Sequence, residues 1–316
     1  MLVAHCIMAQ MPKLLDKSCI EEFLNSFDNV LTDCDGVLWR GDDIIGRSNE
    51  ALSLIRSLGK KILYITNNST KTREEYAKKC ESMNFVADKE DIMSSAYATA
   101  FYLNQQQFNK KVYILGASGI ALELDEVGIA HTEVGPEHQI VDPLVIDRVM
   151  KLEPGVGAVV VGFDSHLSFP KIVRATSHLK DPDCLFIATN RDEWFPNTNT
   201  DLLIPSAGCM VSCVEVVVQR PPLVIGKPSK NMFSILSEKH PLQASRTLMI
   251  GDRFNTDILF GKNCNLKTML VLTGVTKMED LEEYASSLDE EKHNLLPDYY
   301  LPSLDDIINL LKDFSS

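Results

Sequence analysis

No run of this sequence approaches eighteen consecutive apolar residues, so no stretch is long enough to cross a membrane as a helix. A basic stripe is missing too. The 44 acidic residues outnumber 31 basic ones and leave a formal net charge of −13. Nucleic-acid binders and proteins that sit on anionic lipid need basic patches, so neither nucleic acid nor membrane is expected as a partner. The eight cysteines contain no CxxC pair, and the seven histidines show no HxxxH spacing. A zinc site is therefore not expected, and the thiols read as reduced, mostly buried side chains of a cytoplasmic protein. The opening "MLVAHCIMAQMPKLL" has no positive n-region and no arginine. It makes a poor signal or transit peptide and reads as a loose N-terminal segment. Internal repeats and low-complexity tracts are absent.

What is present is an ordinary globular composition. The 316 residues, 45% of them hydrophobic, suffice for one large domain or two modest ones. Short apolar runs alternate with helical patterns. "NVLT" (29–32) and "KILYIT" (61–66) read as strands, with a helix between them that places Ala51, Leu52, Ile55 and Leu58 on one face and stops at Gly59. "TREEYAKKCESMNF" continues as a helix. The alternation returns late with "PLVIGK" (222–227), a helix through "NMFSILSEKH", "TLMIGD" (247–252) and "TMLVLTG" (268–274). The tail "SLDDIINLLKDF" reads as a helix capped by Ser303. The middle carries its own strands, "KVYILG", "GAVVVGF" and "CLFIATN". This order predicts an α/β protein with a Rossmann-like parallel-sheet core. The chemical signals sit near both ends of the chain. The core is therefore assigned to residues 1–104 and 221–316, with an inserted α/β domain over 105–220.

Four polar features each follow an apolar run: Asp33 and Asp35 in "DCDGVLW"; Thr66, Asn67 and Asn68; Lys227; and Asp252 with Asp257. A calcium loop does not explain the first. Its twelfth position would be Ile44 rather than a glutamate, and Leu38 occupies the sixth, where glycine belongs. In an open parallel sheet, ligands bind beyond the carboxyl ends of the strands. If the four strands are neighbours, acids, a hydroxyl, amides and a lysine converge. That inventory suits a magnesium ion (Mg2+) and a phosphate. Each feature alone is ordinary turn or cap chemistry.

"DCDGVLW", "ITNNST", "VIGKPS" and "IGDRFNTDILFG" in this order resemble the four motifs of the haloacid-dehalogenase (HAD) superfamily of phosphohydrolases. "VVVGFDSHLSF" and "ATNRDEWFP" resemble that superfamily's larger C2-type cap. Together they resemble the eukaryotic branch of phosphoglycolate and pyridoxal phosphate phosphatases, also known as 4-nitrophenylphosphatases. The resemblance implies a HAD-fold core and a C2-type cap domain. It implies Asp33 as the nucleophile that becomes aspartyl-phosphate, and Asp35 as acid and then base. Thr66 and the following amides, of Asn67 and Asn68, would hold phosphate oxygens, and Lys227 would bridge nucleophile and phosphate. Asp33, the backbone carbonyl of Asp35, and Asp252 would bind magnesium, with Asp257 supporting them. It also implies small phosphorylated metabolites as substrates and a homodimer formed through the cap. One position departs from the pattern: Asn255 stands where relatives often carry an acid, which predicts somewhat weaker metal binding.

Trp194 and Phe195 occupy the stretch that selects substrate in this branch. Tryptophan leans toward the pyridoxal phosphate type and the apolar Phe195 toward the phosphoglycolate type, which is placed ahead; packing within the cap is the plain alternative for both. "LGASGIA" (115–121) lacks GxGxxG and reads as a strand-to-helix turn. Cys34 reads as a small residue facing the sheet interior rather than a redox switch. A protein phosphatase or a non-catalytic binding module on the same fold remains the competing class. A binding module would be expected to lose Asp33, Asp35 or Lys227, and all three are retained.

Overall fold

The computed structural model describes residues 11–137, 142, 144–196 and 202–312. The first ten residues of the segment expected to be loose, and the last two of the expected C-terminal helix, lie outside them. The strands are β1 (Lys13–Leu14), β2 (Asn29–Thr32), β3 (Trp39–Arg40), β4 (Asp43–Ile44), β5 (Lys61–Thr66), β6 (Ile92–Ser94), β7 (Lys111–Leu115), β8 (Val156–Val161), β9 (Leu185–Ala188), β10 (Leu223–Val224), β11 (Thr247–Gly251), β12 (Lys267–Val271) and β13 (Tyr299–Leu301). Seven of them form one sheet in the order β1-β13-β12-β11-β2-β5-β6, and four form another in the order β10-β9-β8-β7. Pairing is parallel from β1 through to β5 and throughout the four-stranded sheet. β3 and β4 make a short antiparallel hairpin.

Parallel strands buried on both faces read as continuous apolar runs, and β2, β5 and β11 do so. Val30, Leu31, Ile62, Leu63, Leu248, Met249 and Ile250 are all at most 1% exposed. The helix Ser48–Ser57 follows as the spacing predicts, and Gly59 takes φ +79° just beyond it. The four-stranded sheet has its own core. Val159, Val161, Phe186 and Ala188 pack with Ala175 and Leu179 from one helical segment and with Met210, Val211 and Val214 from the helix Ala207–Val218. "LGASGIA" is indeed a strand-to-helix turn, running from β7 into the helix Ser118–Glu126. Gly119 there admits the backbone of residues 69–71, because a Cβ would lie 2.6 Å from the Ser69 carbonyl oxygen.

Two expectations change. β10 does not join the large sheet. It pairs with β9, Leu223 beside Ile187 and Val224 beside Ala188, so Lys227 follows a strand of the smaller sheet. The C-terminal helix starts at Asp306 with Asp305 at its cap position, and the Asp306 carboxylate accepts the Ser303 N–H at 3.0 Å. The longer acid reaches back to the turn, so the Ser303 hydroxyl is not the cap.

The described residues divide into two compact units. One holds the chain up to 65, 77–92 and from 236 onward; the other holds 66–76 and 93–235. Among the described residues no helix is long and apolar enough to cross a membrane.

Candidate active site

In the first unit, β2 and β11 run side by side, Ile250 paired with Thr32, and each ends at an aspartate. The Asp33 N–H continues the ladder to the Ile250 carbonyl at 2.9 Å. Parallel pairing thus delivers Asp33 and Asp252 to the same sheet edge. Asp257 joins them from the helical turn Phe254–Ile258. The three carboxylates offer oxygens within 4.8 Å of one another, and all three residues are buried. Three buried acids so close repel unless cations or donors answer them.

Donors are arranged around the group. Asp257 Oδ2 accepts the N–H groups of Asp252 and Arg253, each at 3.2 Å. Asp252 Oδ2 accepts the Val275 N–H at 2.7 Å. Gly36, at φ +91°, serves both the turn and the space, because a Cβ there would lie 2.7 Å from Asp252 Oδ2. Thr273 Oγ1 donates to the Gly36 carbonyl at 2.7 Å, which ties the two strand-end loops together. Asn255 is exposed, and the three-carboxylate group is built without it.

Asp35 is half-buried and accepts a hydrogen bond from the Trp39 indole N–H at 3.1 Å. Cys34 is buried and forms no disulfide, and its carbonyl accepts the N–H groups of Leu38 at 2.8 Å and Trp39 at 3.2 Å, closing the turn after the acids.

The second unit holds the remaining candidates. Thr66 ends β5, and its hydroxyl accepts the Asn68 N–H at 3.1 Å. The Asn68 side chain accepts from the Thr70 N–H at 3.0 Å and the Thr70 hydroxyl at 2.7 Å. The Asn67 side chain is fully engaged by protein. Its Oδ1 accepts the Lys227 N–H at 2.8 Å, while its Nδ2 donates to the Lys227 carbonyl at 3.0 Å and to Asp192 Oδ1 at 2.9 Å. This amide, not a shared sheet, brings Lys227 to the Thr66–Asn68 turn. Gly226 fits beside it because a Cβ would lie 2.6 Å from Asn67 Oδ1. Lys227 itself is 2% exposed.

Trp194 is 38% exposed, whereas Phe195 meets Phe163 edge-on at 5.0 Å between ring centroids. Backbone bonds from Phe195 to Ile204 (3.0 Å) and from Ser206 to Glu193 (3.0 Å) close the base of this loop. Sequence reasoning missed the roles of Trp39, Asp192 and the 273–275 loop. Only the placement of Trp39 four residues after Asp35 offered a signal.

The haloacid dehalogenase-like hydrolase family model matches residues 30–130, and a second HAD-hydrolase-like model matches residues 224–307. A glycerol-3-phosphate phosphatase of Rattus norvegicus is 40% identical over 92% of this chain and 92% of its own length. Phosphoglycolate phosphatase 2 of Arabidopsis thaliana is 39% identical over 95% of this chain and 99% of its own. Among solved structures, a p-nitrophenyl phosphatase from Archaeoglobus fulgidus superposes with a TM-score of 0.75 at 28% identity, covering 90% of this chain and 99% of that one. A glycerol phosphate phosphatase of Mycobacterium tuberculosis, solved in complex with magnesium, gives 0.71 at 25% identity, covering 89% of this chain and 77% of that one. The chain belongs to the haloacid-dehalogenase-like hydrolases. Within that family it is a phosphoric monoester hydrolase, a phosphatase acting on small phosphorylated substrates.

Proposed function

We propose that the enzyme hydrolyses small alkyl phosphates in two magnesium-dependent steps through an aspartyl-phosphate on Asp33. The buried group formed by Asp33, Asp252 and Asp257 carries this reading. Its donors are all oxygen, with no histidine or cysteine, which suits a hard cation such as Mg2+. Asp33, the backbone carbonyl of Asp35, and Asp252 would hold it. Asp257, fixed by two backbone N–H groups, would keep Asp252 in place. Bound there, magnesium would supply the positive charge that lets an anionic nucleophile approach an anionic phosphate.

The chain's own groups do the rest. The Asp33 carboxylate attacks phosphorus, and the bond to the leaving oxygen breaks as Asp35 gives that oxygen a proton. Asp35 then takes a proton from water, which attacks the aspartyl-phosphate and frees Asp33 and inorganic phosphate. Phosphoryl transfer passes through a loose transition state, so holding the phosphate matters most. Lys227 and the Thr66–Asn68 turn are assigned to that task, with Asn67 acting through its backbone N–H because its side chain is occupied.

Residues 105–220 are proposed as the cap and the rest as the catalytic core. The four-stranded sheet, which begins at Lys111, supports this, although β10 extends the cap's share to Val224. Trp194 and Phe195 are proposed to meet the leaving group. A phosphoglycolate-type substrate remains ahead of pyridoxal phosphate, supported by the Arabidopsis relative. Glycerol 3-phosphate is the second reading, favoured by the rat relative. A cytoplasmic location, supported by seven described cysteines of which none forms a disulfide, and a cap-mediated homodimer complete the proposal. The test is a screen of purified enzyme against 2-phosphoglycolate, glycerol 3-phosphate and pyridoxal phosphate, with magnesium and with excess chelator. Magnesium-dependent turnover with an alkyl phosphate preferred is expected; equal turnover in chelator removes the metal from the account.

A further inference from the structure

We infer that Trp39 is a positioning residue for Asp35, holding its carboxylate in place for proton transfer through the indole N–H. The inference rests on the acid–base role proposed for Asp35. A general acid must meet the leaving oxygen within hydrogen-bond reach, and a misplacement of about 1 Å can cost on the order of 10²-fold. The direction of an aspartate carboxylate at a turn is set by the donors that reach it.

Trp39 is suited to hold it. Its Nε1–H points at Asp35 Oδ1 at 3.1 Å, and an indole N–H can only donate. Trp39 is wholly buried, at 0% exposure, although it borders Asp35. It is fixed from several sides. Its backbone N–H donates to the Cys34 carbonyl at 3.2 Å, and its backbone carbonyl accepts the Gly36 N–H at 2.8 Å. Phe85 meets the ring edge-on at 5.5 Å, and the Lys79 ammonium lies 4.7 Å from the ring centroid. Lys79 is itself held by the Gly41 carbonyl at 2.6 Å, in the connection between β3 and β4. A residue needed only for packing could be any large apolar side chain. This one presents its single polar atom to the acid.

The inference separates substrates by their leaving groups. An alkoxide must be protonated as it departs, whereas 4-nitrophenolate leaves without help. Trp39→Phe keeps an aromatic ring beside Phe85 and under Lys79, and removes the donor together with the second ring of the indole. Packing loss alone would lower both substrates together, so the split between them is what reports the donor. The quantity to read is kcat/KM, which reports the step that expels the leaving group. For the best alkyl phosphate it should fall roughly 10–100-fold, less than the roughly 10²–10⁴-fold that the general acid itself contributes. For 4-nitrophenyl phosphate it should stay within about threefold. A parallel fall on both substrates, or no fall on the alkyl phosphate, overturns the inference. Asp35→Asn separates the two layers: if it shows no leaving-group split, the acid role fails; if it shows the split and Trp39→Phe does not, only the positioning role fails. If Trp39→Phe does not fold, Lys79→Met decides, since it removes the cation over the indole, one of the contacts that hold the ring, while keeping its N–H. A split in the same direction of about threefold or more is then expected, and its absence overturns the inference.

Discussion

Asn67 illustrates how a candidate binding residue can work one step behind the ligand. Its side-chain amide bonds to Lys227 and Asp192. Asn67→Ala should therefore loosen Lys227 rather than delete a phosphate contact. A fall in kcat/KM of about 10²-fold, with magnesium affinity unchanged, is expected from a misplaced cation. Equal activity in parent and variant would show that Lys227 is held by other means. Gly36 is the sharper case. Alanine there must adopt a left-handed backbone and press on Asp252 at the same time. Magnesium titration of Gly36→Ala should show affinity weakened by tenfold or more, while a purely conformational glycine would lower thermal stability and leave affinity alone. The acids, Thr66 and Lys227 were legible in the sequence because each follows an apolar run. Trp39 was not, because a buried tryptophan ordinarily reports packing, and only coordinates show where its N–H points.

At the scale of elements, strands set in apolar runs were legible and the isolated short ones were not. β1, β3 and β4 have two residues each, too few for any periodicity. The helix Ser95–Gln105 escaped for another reason. Ser95, Ala96, Tyr97, Ala98, Thr99, Ala100 and Leu103 are all buried, so its sequence lacks a polar face. Within the second unit, Arg73 fastens the Ser118–Glu126 helix. It meets Glu123 Oε2 at 3.4 Å and Glu126 Oε2 at 3.1 Å, and its guanidinium lies 3.5 Å from the Tyr97 ring centroid. Burial pushes the Glu123 carboxyl above its ordinary range even so, with the Arg73 N–H and charge opposing. Arg73→Leu strands that acid and should cost about 3–5 kcal/mol in urea unfolding. A double variant, Arg73→Leu with Glu123→Leu, should recover much of the loss. His178 supplies a pH signal in the same unit. Burial lowers its pKa below 6.5, with Glu153 opposing, and its Nε2 is buried without a partner. The unfolded chain then binds a proton that the fold resists. His178 thus leaves stability intact above about pH 6.5 and erodes it as the pH falls through the lowered value. Between about pH 7.5 and 5.5 the melting temperature of the parent should fall further than that of His178→Phe. Equal falls would show that the histidine is neutral to the balance.

For the whole molecule, the order of motifs along the chain specified a parallel α/β core with an inserted α/β segment, and two sheets appear in that order. What sequence order could not show was sheet membership. β10 and β5 are both short apolar runs before polar turns, yet one belongs to the small sheet and the other to the large. Backbone pairing decides this, and no side-chain pattern encodes it. Substrate choice belongs to this scale, because the proposed cap must supply it. Changing one apolar contact in a pocket is worth roughly 1–3 kcal/mol, or about 10–200-fold in discrimination. Phe195→His should shift the kcat/KM ratio of pyridoxal phosphate to phosphoglycolate upward within that range, and Phe195→Leu should not. If both variants keep the parental ratio within about twofold, the contact with Phe163 is the whole role of Phe195.

The covalent step on Asp33 is the central claim, and trapping it is the most direct test. Enzyme turning over an alkyl phosphate with magnesium can be quenched in acid, digested, and the peptide that carries "DCDGVLW" weighed and fragmented. The account predicts one added phosphoryl group on Asp33, absent from Asp33→Asn and from enzyme quenched without substrate. A fully active enzyme that never carries it, or carries it on another side chain, would contradict the account.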